Sequence, residues 1–142
     1  MTDFNLAEFL PYRFSVVAQK MSREFESRYC DRFGIRVAEW RIVAHLSQTG
    51  AASMREIERR VDLHKSRVSR AARRLELAGY VSRKSDPGDN RLVELRLTAK
   101  GVDMMKELAP LASQYQEELL AKIGSGREGF DRAIGSLLGP DQ

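Results

Sequence analysis

The sequence predicts a mainly α-helical protein with one small β-hairpin, an α+β fold class, and two observations lead to it. Through most of the 142 residues, apolar side chains recur every three or four positions, as they do in helices that bury one side. After Tyr80 the period changes to two, because Val93, Leu95 and Leu97 are separated by single charged residues. An alternation of this kind predicts a half-buried strand.

Composition limits the classes of protein to which the chain can belong. The length favours one domain, residues 1–142, and 42% hydrophobic with 31% charged residues fits a soluble globular protein. No apolar run is long enough to span a membrane, and the amino terminus lacks the pattern of a secretory signal. The single cysteine, Cys30, cannot form an internal disulfide, which fits a reducing compartment. We therefore expect a cytoplasmic protein that spans no membrane.

The amino-terminal third predicts two helices. Pro11 fits the first turn of a helix, and apolar residues then recur at helical spacing as far as Phe33, where Gly34 provides a stop. We expect one continuous first helix of about six turns that is apolar on two sides. A second helix is expected from Val37 to Ser47. Its inward-facing residues are expected to be Trp40, Val43, Ala44 and Leu46.

The middle of the chain predicts a helix-turn-helix. Ser53 and Glu56 have the spacing of a capping box, in which each residue satisfies the other's end of a helix start. The short helix that begins there is expected to end near Arg60. After a three-residue turn, another helix is expected from Lys65 to Ala78, ended by the glycine that follows. Two short helices joined by such a turn form a helix-turn-helix.

A hairpin and two further helices complete the prediction. The segment Asp86-Pro87-Gly88-Asp89 is expected to turn between the two strands. Thr98 then caps a long helix, and a last amphipathic helix follows a glycine-rich break. We expect residues 37–97 to form a winged helix-turn-helix. Residues 11–35 and 98–139 should form long amino- and carboxyl-terminal dimerisation helices, because they carry more apolar surface than one winged helix can cover.

Positive charge is concentrated in the helix-turn-helix and the hairpin. Between Arg55 and Arg96 there are twelve Lys/Arg and seven Asp/Glu residues, a net charge of +5, whereas the whole chain has +4. The remainder of the chain therefore has a net charge of −1. Local positive charge on a small helix-plus-hairpin unit is typical of a protein that binds a phosphate backbone, so we expect binding to DNA.

The second helix of the predicted helix-turn-helix has two different sides. On a helical wheel, one arc is apolar and rich in alanine, while the opposite arc carries arginine and serine, which bind phosphates and base edges in the major groove. The apolar arc contains Val68, Ala71, Ala72, Leu75 and Ala78. At the base of the hairpin turn, Arg91 has the position to enter an adjacent minor groove, with Asp89 as a hydrogen-bond acceptor that fixes its direction. The residues expected to contact DNA are Ser53, Arg55, Lys65, Ser66, Arg67, Ser69, Arg70, Arg73, Arg74 and Arg91.

Several motifs in this order resemble the MarR (multiple-antibiotic-resistance regulator) family of bacterial transcription factors, over nearly the whole chain. The most specific are the Asp-Pro-x-Asp-x-Arg hairpin turn and the Leu-Thr-x-x-Gly start of the helix after it. The motifs are Glu39-Trp40-Arg41, the Ser53 capping box, Lys65-Ser66-Arg67-Val68-Ser69-Arg70, Leu75-Glu76-Leu77-Ala78-Gly79-Tyr80-Val81, Asp86-Pro87-Gly88-Asp89-Asn90-Arg91 and Leu97-Thr98-Ala99-Lys100-Gly101.

The resemblance implies a homodimeric winged-helix protein, usually a repressor, and we expect no cofactor and no metal ion. Such a protein leaves a palindromic operator in double-stranded DNA when a small aromatic or phenolic effector binds. The resemblance also implies an effector crevice beside the dimerisation helices, with Arg41 or Arg13 as counter-ion for a carboxylate. Any one of the crevice residues is alternatively a plain core residue. The candidate ligand-binding residues are Phe14, Val17, Met21, Trp40, Arg41 and Val43.

The sequence departs from the family pattern at three positions. His64 stands where an aspartate often begins the DNA-contacting helix, which predicts a weak or absent N-cap. Asn90 replaces an arginine of the hairpin turn, which predicts one phosphate contact fewer. Arg36 stands where a threonine often caps the second predicted helix, which begins at Val37.

Other chemistry has little support in the sequence. Cys30 lies late in the first predicted helix, whereas the peroxide-sensing cysteine of some relatives lies near its start, so we expect no redox role. His45 and His64 lack the spacing of metal ligands. Neither a catalytic triad, nor paired carboxylates, nor a phosphate-binding loop stands out, so we expect no enzyme. Two rival hypotheses stay open: a ligand-independent architectural DNA-binding protein, and a winged helix that docks another protein.

Overall fold

A computed structural model describes the backbone of residues 2–86 and 88–140, and the side chains of these residues apart from 86 and 89–92. It confirms the predicted class, mainly α with a small antiparallel sheet. Short 3₁₀ turns occupy Leu6–Glu8 and Gly124–Gly126. The elements are α1 (Leu10–Glu26), α2 (Cys30–Phe33), α3 (Val37–Thr49), β1 (Ala51–Ser53), α4 (Met54–Arg60), α5 (Lys65–Leu77), β2 (Val81–Asp86), β3 (Asp89–Leu97), α6 (Ala99–Ile123) and α7 (Arg127–Leu138).

The prediction of one continuous first helix as far as Phe33 is wrong, because α1 ends at Glu26. The backbone N–H groups of Arg28 and Tyr29 donate to carbonyls three residues back, at 2.9 and 3.1 Å, so the chain tightens into a turn. The hydroxyl of Ser27 donates to the carbonyl of Glu24 at 2.6 Å in the same turn. The break lets Tyr29 become buried, with 1% of its surface exposed.

Helix α3 begins at Val37 as predicted, but the residues that it buries differ in part. Val43 and Leu46 are buried as expected, whereas Trp40 and Ala44 are only half-buried. The missed residues are Ala38, Glu39 and Ile42, all of them buried. The buried side of α3 is therefore rotated toward Glu39, and Trp40 lies at its edge.

The sheet contains three antiparallel strands in the order β1-β3-β2, one more than the predicted hairpin. The added strand pairs Ala52 with Leu95, which is fully buried. On the other side of β3, Val81 pairs with Leu97, and the register shifts between Ser85 and Asp86. The hairpin is the wing of the winged helix, and β1 connects it to the start of α4.

The carboxyl end of α5 is fixed by the start of α6. Gly79 has a left-handed backbone (φ +83°), as predicted, and the N–H of Tyr80 donates to the carbonyl of Leu75 at 2.9 Å. The side chains of Thr98 and Lys100 donate to the carbonyls of Gly79 and Ala78, both at 2.6 Å. Lys100 also lies 4.5 Å from the centroid of the Tyr80 ring. Carbonyls that α5 leaves unsatisfied at its end therefore have partners.

The chain divides into two compact units, Met1–Leu108 and Ala109–Gln142. The core of the first unit contains Ile42, Ile57, Val68, Leu75 and Leu95, each at most 1% exposed. In the second unit, α7 has no buried residue, and Leu137 and Leu138 are 63% and 57% exposed. No helix in the described part of the chain is long and apolar enough to cross a membrane.

Candidate nucleic-acid interface

The helix-turn-helix is formed by α4, its turn and α5, and its first helix begins at the predicted capping box. The N–H of Glu56 donates to the Ser53 hydroxyl at 3.2 Å, and the N–H of Ser53 donates to the Glu56 carboxylate at 3.3 Å. In the turn, Asp62 has a left-handed backbone with φ +53°, unusual for a residue other than glycine. Arg41 of α3 donates to the carbonyl of Val61 in this turn at 3.0 Å.

The prediction of a weak or absent N-cap on α5 is wrong. The Nδ1 atom of His64 accepts a hydrogen bond from the backbone N–H of Ser66 at 3.2 Å. The same nitrogen lies 2.9 Å from the Ser66 hydroxyl oxygen. A neutral imidazole offers one acceptor nitrogen, so His64 performs the task that a side-chain oxygen usually has at this position.

Helix α5 has the two sides that the sequence predicted. Val68, Ala71, Ala72 and Leu75 are each at most 1% exposed, although Ala78, predicted to join them, is exposed. Two of these four buried residues are alanines, whose small side chains let α5 lie close to the core. The predicted DNA-contacting residues on the other side are all exposed: Lys65, Ser66, Arg67, Ser69, Arg70, Arg73 and Arg74.

The remaining residues predicted to contact DNA have different surroundings. Arg55 is exposed on α4, near the amino-terminal end of the helix-turn-helix. Ser53 is half-buried, and its hydroxyl is engaged in the capping box. Arg91 belongs to β3, but its side chain lies outside the described residues, as do those of Asp89 and Asn90. The structure therefore brings Arg55 and the α5 residues into one helix-turn-helix. The Ser53 hydroxyl instead caps the first helix of that unit.

Arg74 has a partner that the sequence analysis missed. Its Nε atom donates to Oε1 of Glu39 on α3 at 2.6 Å, and the Glu39 side chain is 3% exposed. The sequence held a signal for this burial, because Glu39 precedes Ile42 and Val43 by three and four residues and so shares their side of α3. In the described part of the chain, no ion pair involves Arg55, Lys65, Arg67, Arg70 or Arg73.

An aromatic cluster lies next to this pair. The rings of Phe25 and Tyr29, and of Phe25 and Trp40, meet edge to face with centroids 5.0 Å apart. Burial, and then the nearby charges of Glu26 and Glu39, raise the pKa of the Tyr29 phenol well above its ordinary value. Tyr29 therefore stays neutral, and the cluster is a part of the core that supports α3.

A cavity of about 400 Å³ opens beside the turn of the helix-turn-helix. Two of the predicted ligand-binding residues, Trp40 and Arg41, line it together with residues that the sequence analysis did not select. Its other lining residues are Ala44, His45, Gln48, Arg60, Val61 and Asp62. The four remaining candidates are not among them: Val43 is fully buried, Met21 is half-buried, and Phe14 and Val17 are exposed on α1.

No group of three or more potential metal ligands occurs among the side chains that the structure describes, which exclude those of residues 86 and 89–92. Cys30 is partly exposed, and its thiol lies 3.8 Å from a carboxylate oxygen of Asp31. These surroundings give Cys30 no activating cation in a described contact.

Comparison with known proteins supports the assignment of the fold. Residues 33–92 match the sequence profile of the MarR family. An uncharacterised HTH-type transcriptional regulator of Bacillus subtilis, YdgJ, is 26% identical over 92 residues, which are 65% of this chain and 56% of that protein. The chain thus spans about half the length of this curated relative.

Two solved structures share the fold over nearly their whole length. One belongs to a study of how 6-hydroxynicotinic acid regulates DNA binding by BpsR of Bordetella bronchiseptica (TM-score 0.81, 19% identity, covering 99% of this chain and 100% of that one). The other is a cysteine-to-serine variant of MarR from E. coli in complex with operator DNA (TM-score 0.80, 20% identity, covering 99% and 100%).

Proposed function

We propose that this chain, whose residues 33–92 match the MarR family and whose fold is that of its winged helix-turn-helix regulators, binds a palindromic DNA operator as a homodimer. We further propose that it is a cytoplasmic repressor, released from the operator by a small aromatic ligand. The observation that carries DNA binding is the outer side of α5, where three arginines and a lysine are exposed without an ion pair among the described residues.

The physical argument for DNA binding rests on the difference between the two sides of α5. Its buried side fixes the helix to the core through Val68 and Leu75, so the outer side is presented rigidly. Exposed guanidinium groups without intramolecular partners have their N–H donors available for phosphates and for guanine O6 and N7. Arg67, Arg70 and Arg73 are the residues that we propose for these contacts, with Arg55 and Lys65 binding the phosphate backbone.

The proposed homodimer rests on exposed apolar residues in both units. On α1, Leu10, Phe14 and Val17 are 52%, 41% and 46% exposed. On α7, Leu137 and Leu138 are more than half exposed. Exposed apolar surface of this kind marks an interaction site, and a second copy of the chain supplies a matching surface by two-fold symmetry.

We assign the effector to the cavity beside the helix-turn-helix turn. Trp40 offers an aromatic wall, while Arg41 and Arg60 offer guanidinium groups, a combination suited to an aromatic carboxylic acid. The relative BpsR, whose DNA binding is regulated by 6-hydroxynicotinic acid, supports this class of ligand. A carboxylate bound to Arg41 would compete with the carbonyl of Val61 and so disturb the turn that precedes α5.

A selection from random duplex DNA tests the proposed function. The purified protein is mixed with a pool of duplexes that carry a random central region, and bound molecules are recovered and sequenced over several rounds. We expect enrichment of an inverted repeat whose half-sites lie about one helical turn apart. Enrichment of no sequence would contradict the proposal, and binding without sequence preference would favour the architectural rival.

The effector assignment is tested through the only tryptophan, Trp40. Benzoate, salicylate, cinnamate and the corresponding neutral phenols are titrated while tryptophan fluorescence and operator binding are recorded together. We expect an acid to change both signals with one dissociation constant, and Arg60→Gln to weaken that acid. Loss of operator binding with unchanged fluorescence would place the effector elsewhere.

A further inference from the structure

The buried carboxylate of Glu39 on α3 is bonded to Arg74 on α5, the helix that we propose faces DNA. Its Oε1 atom accepts from Nε of Arg74 at 2.6 Å. Its Oε2 atom is buried and has no hydrogen-bond partner within the part of the chain that the structure describes. A carboxylate so deeply buried is unfavourable unless a cation pairs with it, so Glu39 and Arg74 constrain each other strongly.

Arg74 differs from the other arginines on its side of α5. Arg67, Arg70 and Arg74 follow one another at spacings of three and four residues, so they form one row along the helix. Among the described residues, only the last of the three has an ion pair. The Arg74 side chain is nevertheless 55% exposed. Because Nε carries one of the five N–H donors of a guanidinium, the four donors of the terminal nitrogens stay free of Glu39.

We infer that Glu39 is a positioning residue for DNA binding: it holds the Nε edge of Arg74, so that the terminal nitrogens of this guanidinium face a DNA phosphate. The inference rests on the proposed function, since it requires that α5 faces DNA. An arginine held by a buried carboxylate has fewer rotamers to lose when it binds phosphate, and affinity rises accordingly. Arg74 is then a phosphate-binding residue, distinct from the base-contacting Arg70 and Arg73.

A positioning role for Glu39 and simple electrostatics predict opposite changes in DNA affinity when Glu39 is removed. A carboxylate near DNA repels phosphate, so on electrostatic grounds its removal should tighten binding. If Glu39 positions Arg74, its removal should weaken binding, although the protein gains net positive charge. This opposition makes Glu39→Met a decisive variant, because methionine has a similar length and is accepted in a buried position.

The experiment measures affinity for the selected duplex by fluorescence anisotropy at several salt concentrations. The variants are Glu39→Met, Glu39→Gln, Arg74→Met and the double variant, and thermal unfolding verifies that each one is folded. Glutamine keeps an acceptor oxygen at the Oε1 position and is the conservative replacement. Arg32→Gln is the matched control, since it removes one arginine whose partner is Glu107 and not a residue of α3.

We expect Glu39→Met to weaken binding about tenfold and to lower the slope of log affinity against log salt by about one, as the loss of one phosphate contact does. Glu39→Gln should lose less affinity than Glu39→Met. The double variant should bind the duplex no more weakly than Arg74→Met. Arg32→Gln should leave the slope unchanged.

The positioning role would be overturned if Glu39→Met bound the duplex as tightly as the wild type or more tightly. It would also be overturned if the losses in affinity of Glu39→Met and Arg74→Met added up in the double variant. If Glu39→Met does not fold, Glu39→Gln gives the same test of sign, and tighter binding by that variant overturns the inference. A wild-type protein that selects no duplex would overturn the proposed function together with the inference, whereas normal selection with an unchanged Glu39→Met affinity would overturn the inference alone.

Discussion

The carboxylate of Glu26, the last residue of α1, caps the start of α3 at Val37. Its Oε2 atom accepts from the backbone N–H of Val37 at 3.0 Å, and its Oε1 atom accepts from Arg36 at 3.1 Å. The hydrogen bond with Glu26 also raises the pKa of Arg36, which keeps that side chain charged. No capping hydrogen bond comes from Arg36 itself, the residue that stands where a threonine cap is common. A residue eleven positions before Val37 thus satisfies the helix start that the local sequence leaves open.

We predict that Glu26→Ala lowers the free energy of unfolding by about 1 kcal/mol, the usual cost of a lost helix cap. Urea denaturation followed by circular dichroism measures it. Lys20→Ala, at an exposed position of α1, is the comparison, and it should cost clearly less because exposed substitutions usually change stability by less than about 0.5 kcal/mol. Equal losses in the two variants would show that Glu26 acts only through its helix and not through α3.

His64 gives a second prediction about capping. His64→Ala should lower the free energy of unfolding by about 1 kcal/mol, because the N–H of Ser66 loses its acceptor. His64→Asp should keep the stability, since aspartate is among the best N-cap residues, but it should weaken DNA binding by adding a negative charge beside the phosphates. Denaturant unfolding and duplex binding, measured on both variants, test the two effects separately. Unchanged stability in His64→Ala would contradict the capping role.

Gly101 should tolerate no side chain. A Cβ atom at this position would lie 2.1 Å from the carbonyl oxygen of Tyr80, so α6 or the backbone at Tyr80 would have to move. We predict that Gly101→Ala lowers the free energy of unfolding by about 1–3 kcal/mol, the range for an overpacked site. Asp103→Ala, an exposed change two residues later, should alter it by less than about 0.5 kcal/mol. Thermal unfolding of the two variants measures these changes. A Gly101→Ala protein as stable as the wild type would contradict the close approach of residue 101 to the Tyr80 carbonyl.

The proposed homodimer predicts a mass twice the 16.2 kDa of the chain in light scattering at micromolar concentration. Val17→Asp places a charge on the exposed apolar side of α1 and should shift the protein toward monomer. Leu77→Gln is the control, because it removes an even more exposed apolar residue from α5, outside the proposed dimerisation helices. A monomeric wild-type protein would contradict the proposed dimer. A Val17→Asp protein that stays dimeric would show that this side of α1 is not part of the dimer interface.

The elements that local sequence determines were predictable, and those that depend on distant partners were not. The Ser53 capping box and the buried side of α5 follow from spacing within a few residues. The end of α1 at Glu26 does not, because no glycine or proline marks it, and the turn that follows leads into the buried Tyr29. Strand β1 was missed because alanine has little preference for strands, and only pairing with β3 makes Ala52 part of a sheet.

The candidate site shows the same division. The exposed cations of α5 followed from the helical wheel, whereas the partner of Arg74 required knowledge of how α3 and α5 lie together. The burial of Glu39 was missed because the residues expected to face inward from α3, Trp40, Val43, Ala44 and Leu46, did not include it. The effector candidates were predicted from resemblance, and only Trp40 and Arg41 of them line the cavity beside the turn. A cavity depends on the arrangement of several elements, so no local pattern reveals its walls.

The most direct test of the account is the base preference of Arg70→Ala and Arg73→Ala. Affinities for the selected duplex and for single-base variants of it are measured at one salt concentration, with Arg32→Gln as control. If α5 contacts bases as proposed, each variant loses about 1–3 kcal/mol of binding free energy on the selected duplex and discriminates less at one or two positions. Operator affinity and base preference close to those of the wild type in both variants would contradict the claim that the outer side of α5 recognises DNA.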